Sequence, residues 1–251
     1  MTYSGSGRGV TVEGGFDPAG RAVDIGRGLQ WLGEGWQLFV KAAGVWVAIA
    51  ALLLVATVAI GLVPIIGSIA LTFLYPVAFA GMLSGCREIS RGGQLRVDQL
   101  FAALRGRDSG ALVTVGVYSV LANGAVMLLM FLIGGSFALS GASLARGAAG
   151  AGLLLGSGIL LAALVGLALL VPVSMALWFA PPLIVFGGLA PLPALKASFF
   201  GCLKNILPFL VYGVVLFVLI VLAAMPAGLG FLVLFPVIAG SIHAAYQDIY
   251  E

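Results

Sequence analysis

The sequence predicts an all-α, polytopic membrane protein: six transmembrane helices set as three hairpins, each hairpin preceded by a short amphipathic interfacial helix. Three observations carry that prediction. First, 62% of the 251 residues are hydrophobic and 8% are charged, against about 25% charged in soluble domains, which leaves too few polar groups to cover a water-soluble globule. Second, Ala42–Cys86, Ser109–Ala145, Gly147–Leu195 and Asn205–Gln247 contain no Asp, Glu, Lys or Arg. Third, short segments that carry an aromatic and a basic residue recur ahead of the apolar pairs.

In chain order, residues 1–23 are Gly-rich and offer too little apolar surface to offset their ordering entropy. They predict a disordered cytoplasmic tail, with residues 24–251 forming the membrane domain. Met1–Lys41 contains no apolar run of the kind found in a cleaved leader, so the first long apolar run is expected to be an uncleaved anchor. Ahead of it, Ile25, Leu29, Leu32, Trp36 and Phe39 recur at helical spacing, opposite Arg27, Gln30, Glu34, Gln37 and Lys41. Such a helix is expected to lie in the headgroup layer. Its candidate anchors are Arg27, Trp31, Trp36, Phe39 and Lys41, the aromatic rings at the acyl boundary and the cations on anionic lipid.

A span needs about 20 apolar residues to cross roughly 30 Å of hydrocarbon. Ala42–Cys86 therefore holds two, at about 43–63 and 65–86, divided near Leu62-Val63-Pro64. A second amphipathic stripe, Val97, Leu100, Phe101 and Leu104, is flanked by Arg96, Arg105 and Arg107, with Phe101 and Arg105 as its candidate anchors. Spans at about 110–133 and 152–179 follow, and Pro181-Pro182 ends the latter. Leu183–Leu189 is too short to cross and predicts an interfacial or re-entrant piece. A third stripe, Leu192, Leu195, Phe199 and Cys202, carries the candidate anchors Phe199 and Lys204. The last spans, about 206–225 and 229–247, part at Pro226-Ala227-Gly228.

Eleven of the 12 basic residues fall on one side of this topology and only Arg146 on the other. The positive-inside rule then predicts that both termini are cytoplasmic.

The hairpins read as an internal repeat. Each second span carries a Pro-Val pair, at Pro76-Val77, Pro172-Val173 and Pro236-Val237. Gln37-Leu38-Phe39 with Lys41, Gln99-Leu100-Phe101 with Arg105, and Ser198-Phe199-Phe200 with Lys204 introduce the units. Glu88-Ile89 and Asp248-Ile249 follow the first and third prolines at the same offset. Pro76, Pro172 and Pro236 are candidate kinks, and three kinks at one depth would open a central vestibule.

Chemistry is sparse. Tyr118, Asn123 and Tyr212 are candidates for hydrogen bonds between spans or for lining a small polar cavity, and His243 for interfacial or interhelical hydrogen bonding. A single imidazole cannot supply a metal site. Cys86 and Cys202 lack the spacing of a disulfide or zinc motif. No nucleophile with a base, paired intramembrane carboxylates or phosphate loop is present. The expectation is a protein without catalysis, metal or cofactor. Its partners would be the lipid bilayer and anionic headgroups, together with a membrane-protein partner or a second copy, and not nucleic acid, because the basic residues flank spans rather than cluster. Membrane organisation or assembly is the leading reading, and a channel or transporter for a neutral or lipidic solute is the alternative.

Two stretches carry a resemblance: Gly26 through Phe39, and Ala194–Phe199 continuing through Asn205-Ile206-Leu207-Pro208-Phe209. Over roughly residues 24–250 the chain resembles a family of uncharacterised six-helix inner-membrane proteins of proteobacteria. The resemblance implies an integral inner-membrane protein with no assigned activity and transfers no functional residues.

Overall fold

The computed structural model describes residues 15–64, 66–99, 106, 108–144 and 148–251. Among these residues there are nine helices and no strand: α1 (Arg27–Lys41), α2 (Ala43–Gly61), α3 (Ile66–Ser90), α4 (Ser109–Leu144), α5 (Ala148–Trp178), α6 (Ala180–Val185), α7 (Pro191–Lys204), α8 (Ile206–Ala224) and α9 (Phe231–Tyr250). Six stretches are long and apolar enough to cross a membrane: α2, α3, the first part of α4, α5 continued through α6, α8 and α9.

The breaks lie where the sequence has its helix breakers. Between α8 and α9 the chain turns through Ala227 at φ 51° and Gly228 at φ 80°, the left-handed region that only glycine enters without strain. The Leu183–Leu189 piece begins inside the short helix α6, which has Pro181 and Pro182 in its first turn, where a missing N–H costs nothing. The chain turns away after it at Gly188 (φ 64°), with Leu189 N–H donating to Leu183 O at 3.1 Å, a left-handed cap. Leu183 and Ile184 are buried, so α6 plugs the bundle.

The C-terminal helix α9 is the centre of the fold. Some 67% of its span is buried, against 11% for Ser109–Phe137 and Gly156–Val185. It packs on α1, α2 and α3. The α1 contact brings backbone to backbone, because a Cβ on Gly35 would stand 2.4 Å from Val237 O and one on Gly240 would stand 2.8 Å from the Gly35 Cα. By contrast, α4 and α5 pack chiefly on each other.

The repeat is visible in the backbone. α1 runs into α2 through a one-residue hinge, Ala42 (φ −144°, ψ 39°), and α7 runs into α8 through Asn205 (φ −119°, ψ 33°). Each hinge N–H donates back to the same relative carbonyl, Phe39 O at 3.1 Å and Cys202 O at 3.0 Å. Each follows a lysine, Lys41 and Lys204. In this register Trp31, Gly35 and Phe39 match Ala194, Ser198 and Cys202, all buried, while Leu29 and Val40 match Leu192 and Leu203, all exposed. The register corrects the one suggested by the aromatic residues: Phe39 corresponds to Cys202 and Trp36 to Phe199, because burial against the bundle, not ring chemistry, fixes the rotation of the helix.

Two expectations are corrected. The described part of the Gly-rich tail is held in place: Asp17 N–H donates to Tyr250 O and Arg21 N–H to Ile249 O, both at 2.9 Å. Asn205 accepts from Val23 N–H at 2.8 Å and donates to Arg21 O at 3.0 Å. These bonds satisfy backbone groups that composition alone leaves to water. Pro76, Pro172 and Pro236 each lie inside a continuous helix, but they do not surround a vestibule. The Pro172 helix α5 packs on α4, α6 and α7, away from the α3–α9 contact that carries the other two.

Candidate membrane-interface site

α1 has three faces. Gly28, Trp31, Leu32, Gly35 and Phe39 are buried against α8 and α9. Arg27, Gln30, Glu34, Gln37 and Lys41 form the polar face. Between them runs an outward apolar stripe, Leu29, Trp36 and Val40, each about half exposed, as is Ile25 in the turn ahead of the helix. Steps of 7 and 4 keep the three helical side chains in one line. α2, a candidate span, starts directly after the hinge, so α1 stands at one end of that span. Trp46 fixes the angle: it is fully buried, and its Nε1 donates to Leu38 O at 3.2 Å, satisfying a carbonyl at the open end of α1.

The polar side of α1 is tied to the last turn of α9. Asp248 Oδ2 accepts from both Arg27 Nε and Trp31 Nε1, the latter at 2.7 Å. Arg27 Nη2 also reaches Glu34 at 2.9 Å. The hydrogen bond that Arg27 donates to Asp248 holds its guanidinium above its already high ordinary pKa. Deeper, Tyr212 Oη and Ser241 Oγ share a hydrogen bond of 2.8 Å between α8 and α9. On α7, Ser198 Oγ accepts from Phe179 N–H at 2.9 Å and donates to Met175 O at 2.6 Å, locking that helix to the end of α5. Burial pushes the neighbouring Cys202 thiol up to about 12. Lys204 donates to Ala19 O and Gly20 O at 2.9 and 3.0 Å.

An aromatic ladder threads this end. Trp31, Phe209, Phe179, Tyr250, Tyr246 and Phe186 stand in sequence with ring centroids 5.1 to 5.7 Å apart, and Arg87 lies 4.5 Å above the Phe186 ring. His243 sits edge-on to Phe186 at 5.9 Å. It is 1% exposed, and neither ring nitrogen has a partner.

The candidate residues separate accordingly. Trp36 and Lys41 are exposed as interfacial anchors require. Trp31 is not an anchor: at 0% exposed it is core, because the apolar arc of α1 is wide enough to serve protein and lipid on different sides. Phe39 is buried likewise, and Arg27 is spent on Asp248 and Glu34 rather than on headgroups. Phe199 is half-buried and contacts the exposed Phe200. Phe101 and Arg105 lie outside the described residues. Tyr212 makes its bond between spans, whereas Asn123 Nδ2 turns back to Ser119 O on its own helix at 2.8 Å, and Tyr118 faces outward. The hydrogen bond expected of His243 is not made. Asp248, Ser241 and Ser198 escaped notice as site residues. The one signal for them is Asp248-Ile249, which repeats Glu88-Ile89.

Among the described residues no three His, Cys, Asp or Glu side chains converge as metal ligands. A cleft of about 320 Å³ lies beside α5, lined by Asn123, Leu167, Leu170, Val171, Val173, Ser174 and Leu177.

No protein-family model matches the chain, and neither does a solved structure. It is 29% identical over 201 residues, 78% of this chain and 74% of the relative, to a Burkholderia thailandensis protein whose name is "Probable inner membrane protein". The chain is thus an all-helical, multi-pass membrane protein with six candidate spans, similar to an inner-membrane protein that has no assigned activity.

Proposed function

We propose that the protein organises or assembles other components in the bacterial inner membrane without catalysing a reaction, with both termini cytoplasmic and with α1 and α7 seated on the anionic inner leaflet. One observation carries the reading: the outward stripe Leu29, Trp36 and Val40 on a helix followed after one hinge residue by a candidate span, repeated by Leu192 and Leu203 on α7. An apolar stripe with lysine at the span entry fits the headgroup–acyl boundary of an anionic membrane. The Arg27–Asp248 ion pair on the polar side of α1 holds two helices together, which favours a scaffold over chemistry. Packed rings around α9 favour it over a transport path.

The test is native mass spectrometry of the full chain extracted in mild detergent from its own membrane, beside Trp36→Glu and Lys41→Glu. A stoichiometric protein partner or second copy in the wild type, lost with the anionic phospholipid in the variants, supports the reading. A lone wild-type chain with no anionic phospholipid overturns it.

A further inference from the structure

His243 and Tyr246 stand three residues apart on α9, so their rings share one face of the helix. Both are buried, at 1% and 0% exposed, and among the described residues neither imidazole nitrogen nor the Tyr246 hydroxyl has a hydrogen-bond partner. The repeat shows that packing does not ask for these groups. Leu83 and Cys86 follow Pro76 at the offsets at which His243 and Tyr246 follow Pro236, and both are fully buried with no nitrogen or oxygen in the side chain. Desolvating a polar atom without a partner is destabilising, and α3 fills the same positions without that penalty.

The side chain set against both is Phe186, edge-on to His243 at 5.9 Å and to Tyr246 at 5.6 Å between ring centroids. Arg87 lies 4.5 Å over the same ring. Its one hydrogen bond among the described residues runs from Nη2 to Glu251 Oε1 at 3.4 Å, well beyond the roughly 2.8 Å of a charge-assisted bond. Three polar side chains therefore converge on one apolar ring that offers none of them a lone pair. The field around them has a sign as well. The charges that act on His243 are those of Arg87 and Arg91, both cations, and the one anion that acts on Tyr246 is Glu251.

We infer that Arg87, His243 and Tyr246 form a binding site for a phosphate oxyanion, either free phosphate or the headgroup of a phospholipid, and that Phe186 is the side chain that yields its place to it. Phosphate accepts from all three donors, and its oxygens match the guanidinium fork. A cation is repelled by Arg87 and Arg91, and a neutral amide or hydroxyl leaves those two charges unanswered. The site opens where Arg87 and Glu251, about a quarter exposed, reach the surface. Phe186 is free to swing: it is half-buried, it ends α6, and Gly187 and Gly188 (φ 64°) follow it. The oxyanion draws Arg87 from Glu251 and accepts from Tyr246 Oη and from an N–H of His243. Because the site is built on α3, α6 and α9 and not on α1, it stands apart from the membrane contact and the organising role proposed above.

The experiment follows the unfolding midpoint of the full chain in dodecyl maltoside. It compares sodium phosphate with sodium chloride at equal ionic strength, and micelles carrying phosphatidylglycerol with micelles carrying dioleoylglycerol, which lacks the phosphate. A midpoint that rises with phosphate supports a free oxyanion, and one that rises with phosphatidylglycerol alone supports a headgroup. Tyr246→Phe and His243→Leu remove groups that have no partner in the structure, so both keep the fold. Each is expected to raise the half-saturating ligand concentration about tenfold or more, the effect of losing one hydrogen bond to a charged acceptor. Trp36→Glu, on α1, keeps the rise. A wild-type midpoint that moves with neither ligand overturns the proposal, as does a rise that Tyr246→Phe leaves undiminished or that Trp36→Glu abolishes.

Discussion

The indole of Trp31 donates to the carboxylate of Asp248 at 2.7 Å, joining two residues 217 positions apart. Replacing Asp248 by Ala strands a buried indole N–H and a half-buried guanidinium. The expected loss is about 1–3 kcal/mol, read as a fall in the unfolding midpoint in detergent. Asp248→Asn, which can still accept from one of the two donors, should lose less. Equal midpoints for Asp248→Ala and the wild type would show that the α1–α9 contact needs no carboxylate.

Glycine positions on α1 separate the packed face from the free one. Gly35→Ala places a methyl 2.4 Å from Val237 O and 2.7 Å from Ser241 N, and pushing α1 off α9 is expected to cost about 1–3 kcal/mol. Gly33 has nothing within 4 Å, so Gly33→Ala should gain up to about 1 kcal/mol from helix propensity alone. Thermal midpoints of the two variants are expected to move in opposite directions, and movement in the same direction contradicts the packing.

His243 occupies the place that the repeat gives to Leu83 in α3, seven residues after the proline in both helices. Leu83 is fully buried, and His243 is 1% exposed with two unpartnered nitrogens. His243→Leu should therefore stabilise the protein by about 1–3 kcal/mol, since it removes a desolvated polar ring from an apolar site. A lowered midpoint would mean that the imidazole is held by something that stabilises it.

Cys202 lies outside the spans, and burial raises its thiol from an ordinary 9.0 to about 12. At pH 8 about one thiolate in ten thousand is present, so maleimide should leave Cys202 unmodified in the folded protein and label it after SDS denaturation. The sign of the linkage follows. The unfolded thiol loses its proton first, so stability declines as pH rises from 9 toward 12. Cys202→Ala should flatten that decline in a series of unfolding midpoints.

The spans were legible because charge is excluded from hydrocarbon and Pro or Gly marks the breaks. Residues 43–63 and 206–225 coincide with α2 and α8 to within two residues at each end. The rotation of α1 was not legible. Ile25, Leu29 and Trp36 face outward, whereas Trp31, Leu32 and Phe39 face inward, and both sets are apolar because lipid and protein interior demand the same polarity. The pinning of residues 17–23 was hidden for another reason. The carbonyls that receive Asp17 and Arg21 belong to Tyr250 and Ile249, and composition carries no information about a partner so distant in sequence. His243 reads in the sequence as a hydrogen-bonding residue near a span end, but its neighbour is the Phe186 ring, an apolar contact that only the assembled bundle brings beside it.

The docking of α1 on α9 also sets a timetable. α1 is made before the helix it seats on, and the strap ahead of it bonds to Ile249 and Tyr250. Trp31, Leu32 and Phe39 must therefore wait unsheltered while the five spans between α1 and α9 are synthesised. A chain halted ahead of Asp248 would hold those five spans and leave Trp31 without its acceptor.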